Sequence, residues 1–568
     1  MSATPDRLFI NARIVDVFRL RVFEGWFATR GERFLFVEEG QPPAWLGDVP
    51  ATDLAGAFVA PGLVDAHMHI ESSLLTPRRF AEAVIPHGTT ALLADAHEVA
   101  NVAGERGVAW MVEAGNRTPL RVYHAIPSCV PATSPEIEST TEVFGAAEIE
   151  RLLRLPRVAA LGEVMDYRGL LGQSPRLPPL VAAARATGTR IEGHIPTLTG
   201  TELSEYLAHG VQSDHTLTFP AKILEQLSKG VTVMLQAKSL TPENIACVNG
   251  LADRSGIVIV TDDTEPNLLR EGHVTRMLKL ALQAGMPPLE ALASASLRPA
   301  RYMGVHDLGA IAPGYLADFI VLDALDQYPP AQVWVGARKM AERGVATAVP
   351  LPVPPPLPDF PRVPGPFTAA DFKLAPGVTG TRRANVVQVV NQTNSITRHA
   401  VREVKVSDGY AVLEPGDGLS MVAVFAREGG ARSVGVIANA GIDSGAAATS
   451  LAHDSHNLLV VGRDVEAMCR AANAAHTRGG GVFVDDGRGI VAELPLPVFS
   501  LISDDEVGRV SDGLDAIEVA LRGLGMKSQR PFLQLSLLAL SVSPYYKFSD
   551  KGVVDTEARA LLPVLLPA

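Results

Sequence analysis

The chain has 568 residues, 47% of them hydrophobic and 20% charged, with a net charge of −12. That mix suits a globular protein of roughly two to four folded units with a sizeable core. The acidic balance counts against any role that depends on gripping nucleic-acid phosphates, which needs a basic face.

The opening stretch MSATPDRLFINARIVDV has no basic segment followed by an apolar one, so no secretory leader is expected. No uncharged apolar run reaches the ~18 residues of a membrane-crossing helix. Cys129, Cys247 and Cys469 are too few and too scattered for a disulfide framework or a thiolate metal site. A cytoplasmic protein with no membrane partner is expected.

The first 60 residues alternate in the manner of β-strands, as in LFINARIVDV and WFATRGERFLFVEE. Eight short apolar runs follow, at 62–69, 90–97, 121–128, 158–165, 190–194, 211–215, 231–235 and 257–262. Amphipathic stretches such as 77–86, 221–228 and 274–284 separate several of them. Eight strands alternating with helices predict an α/β fold, a (β/α)8 TIM-like barrel over 61–304. More strand-like runs return at 317–322 and 332–336. With the first strands they predict a small β-domain built from both flanks of the barrel, 1–60 and 305–347. The Pro-rich stretch 348–367 lacks donors and free φ angles, and reads as a stiff linker. Beyond it, 368–568 predicts a C-terminal α+β domain, with a hairpin in VFVDDGRGIVAEL.

Polar residues stand where the barrel runs end: His67 and His69, His97, Glu163, His194, His215 and Asp262. The C-terminal strand ends of such a barrel form its catalytic face, so these residues are expected to converge there. His67-Met68-His69 places two imidazoles on one side of a strand, a pairing suited to a cation. Asp65 and Glu71 are candidates to fix the histidine tautomers from behind. Glu163 in LGEVMD is a carboxylate closing an apolar run, costly unless paired or metal-bound. Asp262 in IVIVTDD lies across the barrel from the H-x-H, where it can touch a metal and take a proton.

Other patterns fail. His97-Glu98-Val99-Ala100-Asn101 has Asn where a zinc metalloprotease has its second His, and no P-C-x-x-C accompanies an H-x-E. The glycines at 479–481 lack the Lys-Ser/Thr of a phosphate loop. The cluster His453-Asp454-Ser455-His456-Asn457 reads equally as an auxiliary metal site, a substrate-facing loop or a hydrogen-bonded turn.

PGLVDAHMHIESS, DAHEVANVAG, PSCVPA, GEVMDYRG, EGH, SDH, VTDD and LGAIAPGYLADFIVL resemble the adenine deaminase branch of the metal-dependent amidohydrolase superfamily. AHDSHNLLVVGR and LPLPVFSLIS resemble that family's C-terminal domain, so the likeness spans nearly the whole chain. The resemblance implies a binuclear divalent metal centre of Mn2+ or Fe2+, with Zn2+ as the alternative. Its ligands would be His67, His69, Glu163, His194, His215 and Asp262, with Glu163 in place of the carboxylated lysine many amidohydrolases use. Asp262, Glu163 and His97 are then the catalytic candidates; His97, Glu98, Thr216, Gln236 and Asp263 are the substrate-binding ones. The sequence departs from the family pattern at Thr216, at Gln236-Ala237-Lys238 and at Thr264, all expected on the substrate face. The implied reaction is adenine plus water to hypoxanthine plus ammonia, in purine salvage, by a homo-oligomer of two or more copies. Deamination of another purine-like or pterin-like ring, or a cyclic amidase, is the competing expectation. A third is a non-catalytic scaffold, which a lost ligand would mark.

Overall fold

The computed structural model describes residues 4–347, 351–391, 396–428 and 430–567. Eight parallel strands make the barrel: β1 Leu63–Met68, β2 Thr89–Asp95, β3 Arg121–Ile126, β4 Val158–Val164, β5 Arg190–Gly193, β6 Ser213–Asp214, β7 Thr232–Leu235 and β8 Ile257–Ile259. They form two arcs, β1 to β5 and β6 to β8. Two backbone hydrogen bonds close the ring. Gln212 N donates to Ile191 O at 3.0 Å, and Asp262 N donates to His67 O at 3.2 Å. The backbone of Asp262 is therefore anchored at the seam itself.

The barrel interior is filled by small and medium side chains: Val64, Ala66, Ala91, Leu93, Ala125, Ala160, Met234 and Val258. The opposite strand faces, among them Leu92, Val122, Val233 and Ile257, pack on the surrounding helices. This two-residue alternation explains why the runs read as continuously apolar in sequence, since both faces are buried.

The strands on either flank of the barrel share one nine-stranded sheet. Phe58–Pro61 pairs antiparallel with Phe319–Leu322, joining chain segments that enter and leave the barrel. An aromatic stack holds its core: Phe9 on Phe27 at 4.6 Å between ring centroids and Phe319 on Trp334 at 5.4 Å.

The third unit carries another nine-stranded sheet. Met421, Ala423, Phe425, Val460 and Phe483 face the helix Val465–Arg478, which Asp464 caps by accepting from Ala467 N. Val422, Val424, Val461 and Val484 face the other way, into the core shared with the helix Val507–Gly523 and the barrel. Gly481–Asp485 and Ile490–Pro495 form the expected hairpin. Of the Pro-rich stretch, 348–350 lie outside the described residues. From 351 to 367 it has no helix or strand, yet it is docked along its length. Trp110 Nε1 donates to Pro355 O at 3.0 Å, Phe360 meets Phe499 and Phe367 meets Phe425.

Among the described residues, no helix is long and apolar enough to cross a membrane.

A bidentate ion pair ties the barrel to the small sheet. Arg121 donates to both oxygens of buried Asp318, at 2.6 and 3.0 Å, and Gly336 N donates to Oδ1 at 2.7 Å. Arg121→Leu should lower stability by about 3 kcal/mol, because it strands a buried carboxylate, and adding Asp318→Asn should return most of that loss. Urea unfolding midpoints of the three proteins check this; equal midpoints for wild type and Arg121→Leu would refute it.

Candidate active site

The H-x-H is aimed by a backbone irregularity. The register of β1 against β2 slips by one residue between Asp65 and Met68. A one-residue slip reverses which face a side chain occupies. Val64 and Ala66 face the interior, so simple alternation would send His67 and His69 outward with Asp65; the slip turns both into the barrel mouth. Asp65 stays on the outer face, accepting from Thr261 Oγ1 at 2.6 Å beside His273. Asp65 also accepts from His67 N at 3.3 Å, but it touches neither ring, so the expectation that it fixes a histidine tautomer is corrected. Glu71 likewise meets Val99 N rather than either ring. The rings are set by other acceptors: His67 Nδ1 lies 3.3 Å from Glu192 Oε2, and His69 Nδ1 lies 3.0 Å from Asp95 O.

Glu163, near the end of β4, is the hub. Its Oε1 is 3.3 Å from His69 Nε2, and its Oε2 is 2.7 Å from His194 Nδ1 and 3.3 Å from His215 Nε2. His194 and His215 each follow directly on the last residue of their strands, β5 and β6. Asp262 lies just beyond β8 in the left-handed region (φ 59°), a cost paid for facing the histidines. Its Oδ1 is 3.6 Å from His69 Nε2 and 4.0 Å from His67 Nε2, while Oδ2 accepts from Gln236 Nε2 at 2.7 Å.

The donor set fits divalent cations. His67, Glu163 and His215 offer ligand atoms within 4.8 Å of one another, as do His67, His69 and Asp262, and His69, Asp95, His97 and Glu163. His67 Nε2 is buried with no hydrogen-bond partner, on the residue that the first two of those sets share. Imidazoles with carboxylates favour transition metals over hard oxygen-seeking ions. Burial drives the His67 pKa down to about 3, so its imidazole is the neutral, ligating form. Burial also works against the Glu163 carboxylate, but His215, His194 and His69 outweigh it and hold that group well below the usual range.

A cavity of about 300 Å3 opens over these residues. Its polar wall includes His69, His97, Thr216, Gln236, Asp262 and Asp263, and its apolar wall is Leu533, Leu537, Leu540 and Val542 of the C-terminal unit. His97 and Glu98 occupy the first turn of the helix that follows β2. Burial and His69 lower the His97 pKa, but Asp95 and Asp454 raise it to about 10. Ser72 Oγ donates to Asp263 Oδ1 at 2.5 Å and to Glu98 Oε1 at 3.3 Å. Thr216 borders the cavity, with its hydroxyl committed to Asp214 and Lys222. A larger cavity, about 600 Å3, lies at the other end of the barrel around Arg190, Arg254 and Arg298, away from these ligand sets.

Three residues here escaped the sequence reading. Asp95 accepts from Glu163 N at 3.2 Å and abuts Gly162, whose absent Cβ would lie 2.1 Å from its oxygen. It ends β2, so the strand-end rule applied two residues before His97 would have found it. Glu192 is a charge inside a predicted buried strand, a signal of its own. Asp454 stood in the polar cluster 453–457, but nothing in the sequence pointed it at His97, because it arrives from the C-terminal domain.

Residues 58–349 match the amidohydrolase family and residues 394–560 the adenine deaminase C-terminal domain. A Desulfatibacillum aliphaticivorans protein named adenine deaminase is 35% identical over 557 residues, 97% of this chain and 95% of its own. One of the same name from Nitratidesulfovibrio vulgaris is 36% identical over 562 residues, again 97% and 95%. A third, from Methanothermobacter thermautotrophicus, is 36% identical over 88% of this chain and 91% of its own. With both regions matched and relatives aligned almost end to end, the chain belongs to the adenine deaminase family of amidohydrolases.

Proposed function

We propose that this chain hydrolyses the exocyclic amine of adenine, giving hypoxanthine and ammonia, with His67, His69, Glu163, His194, His215 and Asp262 as holders of two divalent cations. The observation that carries this reading is the split carboxylate of Glu163, one oxygen toward His69 and the other toward His194 and His215. Mn2+ or Fe2+ is the expected occupant, with Zn2+ the alternative. Held there, such a pair would supply Lewis acidity that lowers the pKa of a water toward neutrality.

The chain's own groups do the rest. Gln236 holds Asp262 Oδ2, which leaves Oδ1 as the atom that accepts the proton of the attacking water. The water oxygen bonds to C6, the C6–N6 bond breaks, and Asp262 returns the proton to the departing amine. Protonated His97 offers a cation to charge developing on the ring. Asp263 receives the one ring N–H of adenine, with Glu98 behind it through Ser72, and the leucine wall covers the ring face and excludes water. Gln236 and Thr216 act on specificity by shaping the polar wall. A cytoplasmic homo-oligomer is the proposed setting.

Manganese-loaded protein should release ammonia from adenine in preference to other purines and pterins, and chelation should abolish this. Mn2+ or Fe2+ should restore it better than Mg2+; full turnover in excess chelator, with metal absent by elemental analysis, would sink the proposal. Glu163→Gln should lower bound metal below the wild-type count along with rate, since the amide cannot offset two cations. A full complement in that variant would remove Glu163 from its role. Asp262→Asn should keep the fold and most metal while kcat falls by at least ~10²-fold, in the range of a lost general base. A kcat within tenfold of wild type would mean that the proton goes elsewhere.

A further inference from the structure

A second ligand set stands apart from Glu163. Glu98, on the first turn after β2, meets two histidines of the C-terminal unit. Its Oε1 is 3.7 Å from His453 Nδ1 and its Oε2 is 3.9 Å from His456 Nε2. Ligand atoms of all three lie within 4.8 Å of one another. These separations are too long for hydrogen bonds and fall within the 3.3–4.0 Å spread found around Glu163 and Asp262.

His456 is the telling residue. It is 0% exposed, and neither ring nitrogen has a hydrogen-bond partner. Glu98 Oε2 is equally buried and unpartnered. Buried polar atoms are rarely left so, and two facing each other across 3.9 Å mark a place for a shared partner. The backbone is built to hold the ring there: His456 sits at φ 52°, and buried Arg427 donates to its carbonyl at 2.6 Å. The segment does form a hydrogen-bonded turn, with His456 N donating to Ala452 O at 2.7 Å, but that turn leaves both ring nitrogens of His456 unpaired.

We propose that Glu98, His453 and His456 bind a third divalent transition-metal ion, independent of the pair around Glu163, which pins the C-terminal unit to the barrel. Two imidazoles and one carboxylate prefer Zn2+ or Fe2+ to Mg2+ or Ca2+. None of the three residues belongs to the sets that include Glu163 or Asp262. His453 also borders the substrate cavity, so the ion stands behind that part of its wall.

Elemental analysis of zinc-loaded, full-length protein should find three ions per chain in wild type and two in His456→Gln. Anomalous diffraction from wild-type crystals at the zinc edge should show a peak among Glu98, His453 and His456. In Glu163→Gln that peak should persist while the pair is depleted, which separates this site from the proposed catalytic one. Fewer than three ions in wild type, a third peak elsewhere, or an unchanged count in His456→Gln would overturn the proposal. The wild-type anomalous map decides the matter even if the variant fails to fold.

Discussion

One buried carboxylate governs this molecule. Glu163 is only 3% exposed, and an anion so placed is costly unless positive charge surrounds it. His69, His194 and His215 close on its two oxygens from three other strands, while Asp95 takes its backbone N–H. Strands β1, β2, β5 and β6 must therefore end at matching heights around β4. The barrel achieves this through the seam at Asp262 and the bond from Gln212 to Ile191. The bulge in β1 follows the same demand, because without it the H-x-H would face the helices.

The C-terminal unit completes what the barrel leaves open. A barrel mouth lined by histidines and carboxylates is wet, and charge stabilisation is weak in water. Leu533, Leu537, Leu540 and Val542 supply the apolar cover, and Asp454 reaches His97. The docking is specific: Asp504 accepts from Thr76 and Arg78, and Asp550 accepts from Ser139 N and Oγ. The sheet contributes one of its two apolar faces to the barrel's core. The packed Pro-rich segment adds a third line of contact, so it works as a brace more than as a tether.

Much of the site could be read along the chain, for a local reason. Strand ends can be recognised from apolar runs, and in a (β/α)8 barrel those ends share one face, so His67, His69, His97, Glu163, His194, His215 and Asp262 could be gathered without coordinates. Asp65 was misplaced because a one-residue bulge cannot be seen in an apolar run, and it reverses every neighbour's direction. Gln236 and Thr216 could be placed on the cavity rim, but not their bonds to Asp262, Asp214 and Lys222.

The sequence alone therefore determined the count of βα units, the strands on both flanks that share a sheet, the histidines and carboxylates at the strand ends, and the family. These depend on periodicity and on residues close together in the chain. Tertiary structure alone decided which histidine nitrogen faces which oxygen, that Glu192 and Asp95 set the rings, and that His453, Asp454 and His456 stand beside His97 and Glu98. Most of those pairings join distant parts of the chain, and His453, Asp454 and His456 come from another unit. They exist only because ring closure and domain docking bring strand ends and a distant loop to one point, and no local pattern encodes where separate packed surfaces will meet.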